Sequence, residues 1–394
     1  MNAPRPLAIP DPRSFPDAAA APAAAAALYL CAQASLAADT GAAADALDRD
    51  ARAALGEMLA GGANALPALL AGSPSVAVAR HLWRQLDAAW RDAATERDAG
   101  LAVTVFAVPV VIVAGLEATR GERTLPAVLA SPEKLAAILR EHRALGGNQS
   151  FALGNVLVAT EAIDVAALAQ LLQWRRLPDA QAGGGALPAR VLAPAPLVLA
   201  AGSEAVHLRF LVGSALARPG TDLLADARVG PWGLAFAQEL ARQIGDGVAT
   251  VLALPRAPQG LVQAVWQGRL VQREAAAQIF AGNALRKLRA SVGEPTAIIS
   301  AHRSADAAQG GELRLSLSSP FEPREAEGFR CPLYPQDRVG DVATMLADLL
   351  RDCRVADIRM LGGVHPDRDP ATGLPVLYKP GTIPPPAAVL VQRG

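Results

Sequence analysis

The chain has 394 residues, 37 basic and 37 acidic side chains, and is 52% apolar but only 4% aromatic. At ~150 residues per domain the length suggests two or three domains, and the apolar share excludes a disordered chain. Zero net charge argues against a dedicated nucleic-acid binder, whose affinity rests on phosphate neutralisation, and against electrostatic attachment to a membrane surface; it favours self-association, because colloidal repulsion is small.

Residues 1–21, rich in Pro and Ala, read as a flexible arm. From about Ala18 to Ala38 the chain carries no charge and is mostly alanine, without the positive flank and strongly apolar stretch of a secretory signal. Helical signals dominate to about Asp98. The clearest is Val76–Glu96, where Val78, Leu82, Leu86 and Trp90 recur every four residues. Leu101–Gly115 is too short to span a membrane, and its Val and Ile enrichment reads as a buried strand, bent or broken at Pro109. Ser131-Pro132-Glu133 is a helix start, with Ser131 as cap, Leu135, Ile138 and Leu139 as the apolar stripe and Gly146-Gly147 as the stop. A strand over Phe151–Ala159 and a helix over Val165–Trp174 follow.

Pro178–Pro196, with its Gly183-Gly184-Gly185 run, reads as a linker. Beyond it Val206, Leu208 and Phe210 mark a half-buried strand, Pro231 opens a helix buried through Trp232, Phe236 and Leu240, and Val248–Leu254 is a strand. Gln263–Ala290 is helical with possible breaks at Gly268 or Gly282. Thr296–Ala301 is a short strand, and Leu313, Leu315 and Leu317 alternate with Arg314, Ser316 and Ser318 as a second. Asp341 caps a helix buried through Val342, Met345, Leu346, Leu349, Leu350 and Cys353, and Asp357–Val364 and Leu374–Lys379 read as strands around a Pro- and Asp-rich loop. The expectation is an α/β protein of two domains, with mixed or mainly parallel sheets, covering helices and a helical N-terminal region. The domains are 22–177 and 197–394, joined by the linker 178–196.

Only Lys134, Lys287 and Lys379 are lysines; the remaining basic residues are arginines spread along the chain, as a GC-rich coding bias gives. Three cysteines, Cys31, Cys331 and Cys353, without a CxxC pair or a zinc-compatible Cys–His spacing, indicate a reducing compartment, the cytoplasm. The polar groups suited to chemistry concentrate in the last third. His302 and Arg303 leave the Thr296–Ala301 strand, where a proton carrier and an anion-binding cation would lie at a strand's carboxyl end. Arg330 beside Cys331 could lower a thiol pKa and make a nucleophile, although Pro332 and Pro335 suit a rigid packed segment better. His365, Asp367 and Asp369 alternate as ligands could, but Arg368 among them repels a cation and the Asp-Pro and Ala-Thr-Gly steps favour a turn, so no metal is expected. Arg269, Arg273, Arg286, Lys287 and Arg289 read as a solvated helix face. No phosphate loop, Rossmann fingerprint, nucleophile elbow or His-Glu-x-x-His is present, and no cofactor is expected.

Two functional expectations follow. The first is a non-enzymatic interaction or assembly protein that binds a protein partner or itself as a homo-oligomer. The alternative is an enzyme acting on an anionic small molecule in a C-terminal cleft lined by His302, Arg303, Arg330, His365 and Asp367.

Overall fold

A computed structural model describes residues 23–60, 75–92, 96–97, 101–114, 122–145, 151–160, 194, 196–199, 205–217, 229–245, 247–253, 260–303, 311–319, 326–334, 337–369 and 373–378. The helices are α1 (Ala23–Leu36), α2 (Gly41–Ala60), α3 (Val76–Asp92), α4 (Pro132–Glu141), α5 (Val229–Gly245), α6 (Gly260–Val292) and α7 (Val339–Asp352). The strands are β1 (Glu96–Arg97), β2 (Leu101–Ala114), β3 (Arg123–Leu125), β4 (Phe151–Ala159), β5 (Leu197–Leu199), β6 (Val206–Ala217), β7 (Ala249–Leu252), β8 (Thr296–His302), β9 (Glu312–Ser318), β10 (Ala326–Pro332) and β11 (Asp357–His365). Among the described residues no helix is long and apolar enough to cross a membrane. The arm 1–21, the helix expected over Val165–Trp174 and nearly all of the linker lie outside the described residues.

Contacts group the chain into two units, Leu30–Pro67 with His81–Ala276, and Met1–Tyr29 with Ala68–Arg80 and Ala277–Gly394. The division falls inside α6, at Ala276/Ala277. In the first unit β2 pairs along its length with β6, and β4 pairs with the other edge of β6. The remaining edge of β2 holds β1 at one end and β7 at the other. Pro109 falls between them, where no described strand needs its missing N–H, so the strand continues through the proline instead of breaking. One face of this sheet buries Phe106, Val108, Val110 and Ile112 against Leu135 and Leu139 of α4 and Trp232, Phe236 and Leu240 of α5. On the other face α6 comes close at Gly268, where a Cβ would lie 2.9 Å from Pro109 and 2.8 Å from Leu208. The glycine therefore permits close packing and does not break α6.

In the second unit the order is β10-β9-β8-β11, antiparallel except for the parallel β8–β11 pair. This four-stranded sheet is mixed, whereas every described pairing of the five-stranded sheet is antiparallel; mainly parallel pairing is found in neither. β8, β9 and β10 follow one another through short connections, which suit antiparallel neighbours, and only the crossover through α7 is long enough for a parallel return. Ala297, Ile299, Ala301, Leu313, Leu315, Leu317 and Cys331 point to the helices, where Leu346 and Leu350 of α7 and Leu285 and Leu288 of α6 complete the core. α7 begins at Val339, so Asp341 lies in its first turn and favours the dipole there instead of capping. Leu374–Tyr378 is not a strand; it touches the chain as an isolated bridge, Arg368 to Pro375.

Candidate functional site

Period-two alternation puts Thr296, Ile298, Ser300 and His302 of β8, with Glu312, Arg314, Ser316 and Ser318 of β9, on the face turned away from the helices. Such a face would ordinarily meet water, yet Ser300, His302, Arg314, Ser316 and Ser318 are fully buried. Their cover is the chain just after β11. Pro366–Asp369 and Gly373–Tyr378 are joined by bonds from the Asp369 amide to the Leu374 carbonyl (2.9 Å) and from the Val376 amide to the Asp367 carbonyl (3.2 Å), and lie over the sheet as a strap. Pro370, Ala371 and Thr372, of the turn expected from the Asp-Pro and Ala-Thr-Gly steps, lie outside the described residues.

Arg314 is the anchor. Its guanidinium pairs with Glu312 (2.6 Å) and with the Asp367 carboxylate, and donates to the backbone carbonyls of Asp367 and Val376 (3.1 Å). Glu312 also receives Arg330 from β10 at 2.8 Å. His302 donates from Nδ1 to the Pro366 carbonyl at 2.8 Å; a carbonyl only accepts, so this nitrogen carries the proton. Nε2 is then the acceptor for the Ser300 hydroxyl at 2.8 Å. His365 meets the Tyr378 hydroxyl through Nδ1 at 2.8 Å, and the Tyr378 amide donates to Ser316 Oγ at 3.2 Å. The three rings cluster, with His302 and His365 centroids 5.6 Å apart and His365 and Tyr378 centroids 4.8 Å apart. Burial pushes His302 down to about 4; Arg314 and His365 act in the same sense, against the Pro366 carbonyl and Asp367. Burial also lowers His365, opposed by the Gly362 backbone, and raises Tyr378.

The structure therefore brings His302, Arg330, His365 and Asp367 into one network. Cys331 is excluded from it: its side chain is buried on the opposite face of the sheet, among the leucines. β10 alternates, so Arg330 takes the polar side and the Cys331 thiol lies on the other face from His302 and His365. Arg303 is exposed just beyond β8, and Asp369 contributes its backbone to the strap's turn. Sequence reading passed over Arg314, Glu312, Ser300 and Tyr378. The only signal was the Glu-x-Arg step on an alternating strand, which looks the same whether the face is wet or covered.

A second polar cluster ties the N-terminal helices together. Asp48 of α2 accepts from the Ser35 hydroxyl of α1 and from His81 Nε2 (2.9 Å) and Gln85 Nε2 (2.6 Å) of α3. Burial alone would raise the Asp48 pKa, but these three donors outweigh it and hold the carboxyl below its ordinary value. Ser35 of α1 is thus turned inward. The opposite face of α1 presents Ala26, Ala27, Leu30, Gln33, Ala34 and Leu36 to solvent, with Leu30 66% exposed, and the helix carries no charged residue. No protein-family model matches the chain, and neither a characterised protein nor a solved structure is similar to it.

Proposed function

We propose that the protein is a non-enzymatic interaction module of the cytoplasm that assembles with a second copy of itself through the outward face of α1. The observation that carries this reading is the charge-free α1 with Leu30 and Leu36 in solvent. An uncharged helix with two leucines on its solvent side, broken only by Gln33, offers an apolar surface that a second copy can cover. Small residues at Ala26, Ala27 and Ala34 around Leu30 let another helix come close. The absence of net charge leaves a like copy unopposed. In a two-fold pairing each contact is made twice, and the exposed part of each leucine contributes a fraction of the ~1.5–3 kcal/mol that full burial of such a side chain gives. The free thiols of Cys31, Cys331 and Cys353 suit a reducing compartment.

The anionic-substrate alternative has less support. The buried Arg314 and its neighbour Arg330, the cations best placed for an anion, already bind Glu312 and Asp367. Sedimentation velocity on the wild type and on Leu30→Glu tests the assembly. The wild type should sediment as an oligomer and the variant as a folded monomer; an identical sedimentation coefficient for both would refute the assignment to this face.

A further inference from the structure

The buried network does more than hold the strap; its composition makes that hold conditional on proton concentration. We propose that the strap formed by Pro366–Asp369 and Gly373–Tyr378 is a pH-responsive cover, held closed by neutral His302 and His365 and released from the polar face of the four-stranded sheet when they are protonated. The proposal is independent of the assembly through α1.

Every element packed around the two rings contributes to the argument. β8 supplies Ser300, which gives its hydroxyl proton to His302 Nε2. β9 supplies Glu312 and Arg314, β10 supplies Arg330, and the strap supplies Asp367, Arg368 and Tyr378. Both carboxylates are already engaged: Glu312 holds Arg314 and Arg330, and Asp367 holds Arg314 with Arg368 at 3.7 Å. No further anion is among these groups to receive a fourth or fifth positive charge. Protonating His302 and His365 would put two cations 5.6 Å apart between ring centroids, within a site whose guanidinium is itself fully buried. Protonated His302 would also take Nε2 away as the acceptor for Ser300, whose hydroxyl is buried.

Opening relieves all of these at once, because the strap is what separates the rings from water. Polar contacts hold it to the sheet from Pro366 to His302, from Asp367 and Val376 to Arg314, and from Tyr378 to Ser316 and His365, and Leu377 lies over Gly328 of β10. The sheet is secured separately, by its strand ladders and by the apolar layer on its other face. Release would uncover Ser300, Arg314 and Ser316, together with Ile298, now packed against Tyr378 and Leu361. A serine hydroxyl, a guanidinium and an apolar patch would thus become accessible only in acid.

Hydrogen exchange of the full-length protein, corrected for the intrinsic effect of pH, tests this directly at the Tyr378 amide, whose bond to Ser316 Oγ joins the strap to the sheet. Between pH 7.5 and pH 5 its protection should fall by about 30-fold from His302 alone, given ordinary behaviour near 6.5 when open and about 4 when closed. It should lie well below the protection of the β9 amides at both pH values. His302→Gln should flatten the profile; should that variant not fold, the wild-type comparison still decides. Strap protection that does not change with pH would overturn the proposal. So would strap and β9 amides of equal protection that fall together, since the strap would then open only with the whole fold.

Discussion

A fully buried guanidinium is costly to desolvate, and Arg314 offsets that cost by meeting two carboxylates and two backbone carbonyls. Removing it strands Asp367 and part of Glu312, so Arg314→Ala is expected to lose about 3–5 kcal/mol in urea unfolding. Exposed Arg359, which pairs only with Asp357 on its own strand, should cost less than about 1 kcal/mol on the same replacement. His302 adds a pH dependence whose sign is fixed by its depressed folded pKa. Between ~6.5 and about 4 the unfolded chain binds a proton that the folded one does not, so this contribution is complete above pH 6.5. It is lost as pH falls through that window, by about 3 kcal/mol in all, and a series of urea midpoints from pH 7.5 to pH 4 should show the decline. Stability that rises on acidification through the same window would contradict the neutral assignment of the ring.

Among the elements, the start of α4 separates what sequence can convey from what it cannot. Ser131-Pro132-Glu133 announces the helix, and the helix begins there, but Ser131 makes no side-chain cap bond. Its amide donates to Gln243 Oε1 (3.2 Å), and its carbonyl accepts from Gln243 Nε2 (2.9 Å), from α5 far along the chain. Gln243→Ala is therefore expected to cost about 1–2 kcal/mol and Ser131→Ala close to nothing, reversing the usual order for a cap, as thermal unfolding of the two variants would show. Gly213 of β6 is constrained in a similar way by its surroundings. A Cβ there would meet the Phe106 ring and lie 2.7 Å from the Ala152 carbonyl, and the backbone partner cannot move aside as a side-chain tip could. Gly213→Ala should lower stability by about 1–3 kcal/mol through overpacking.

The same contrast explains the candidate site. Leu313, Leu315 and Leu317 were legible because alternation is local and one side of a strand must find a core. The burial of Arg314 and Ser316 was not, because the strap residues that meet them, Asp367, Val376 and Tyr378, arrive 53 to 62 residues later. His302, His365 and Asp367 drew attention as residue types, and they do come together. Their union around Arg314, and the departure of Cys331 to the other face, depend on strand pairings that spacing alone does not specify. The helix-to-helix role of Asp48 was hidden for the same reason, since its donors lie on α1 and α3.

For the molecule as a whole, the fold is a mixed α/β architecture in which the strap buries a polar sheet face and α1 leaves Leu30 and Leu36 in solvent. The uncharged stretch from about Ala18 to Ala38 was visible from the start, and the exposed side of α1 within it is what the proposed assembly would use. Light scattering coupled to size exclusion, on the full-length chain across a range of loading concentrations, tests this most directly. A mass at a multiple of 40.6 kDa, falling toward the monomer on dilution, is the result the assembly requires. A single 40.6 kDa species at every concentration would contradict it.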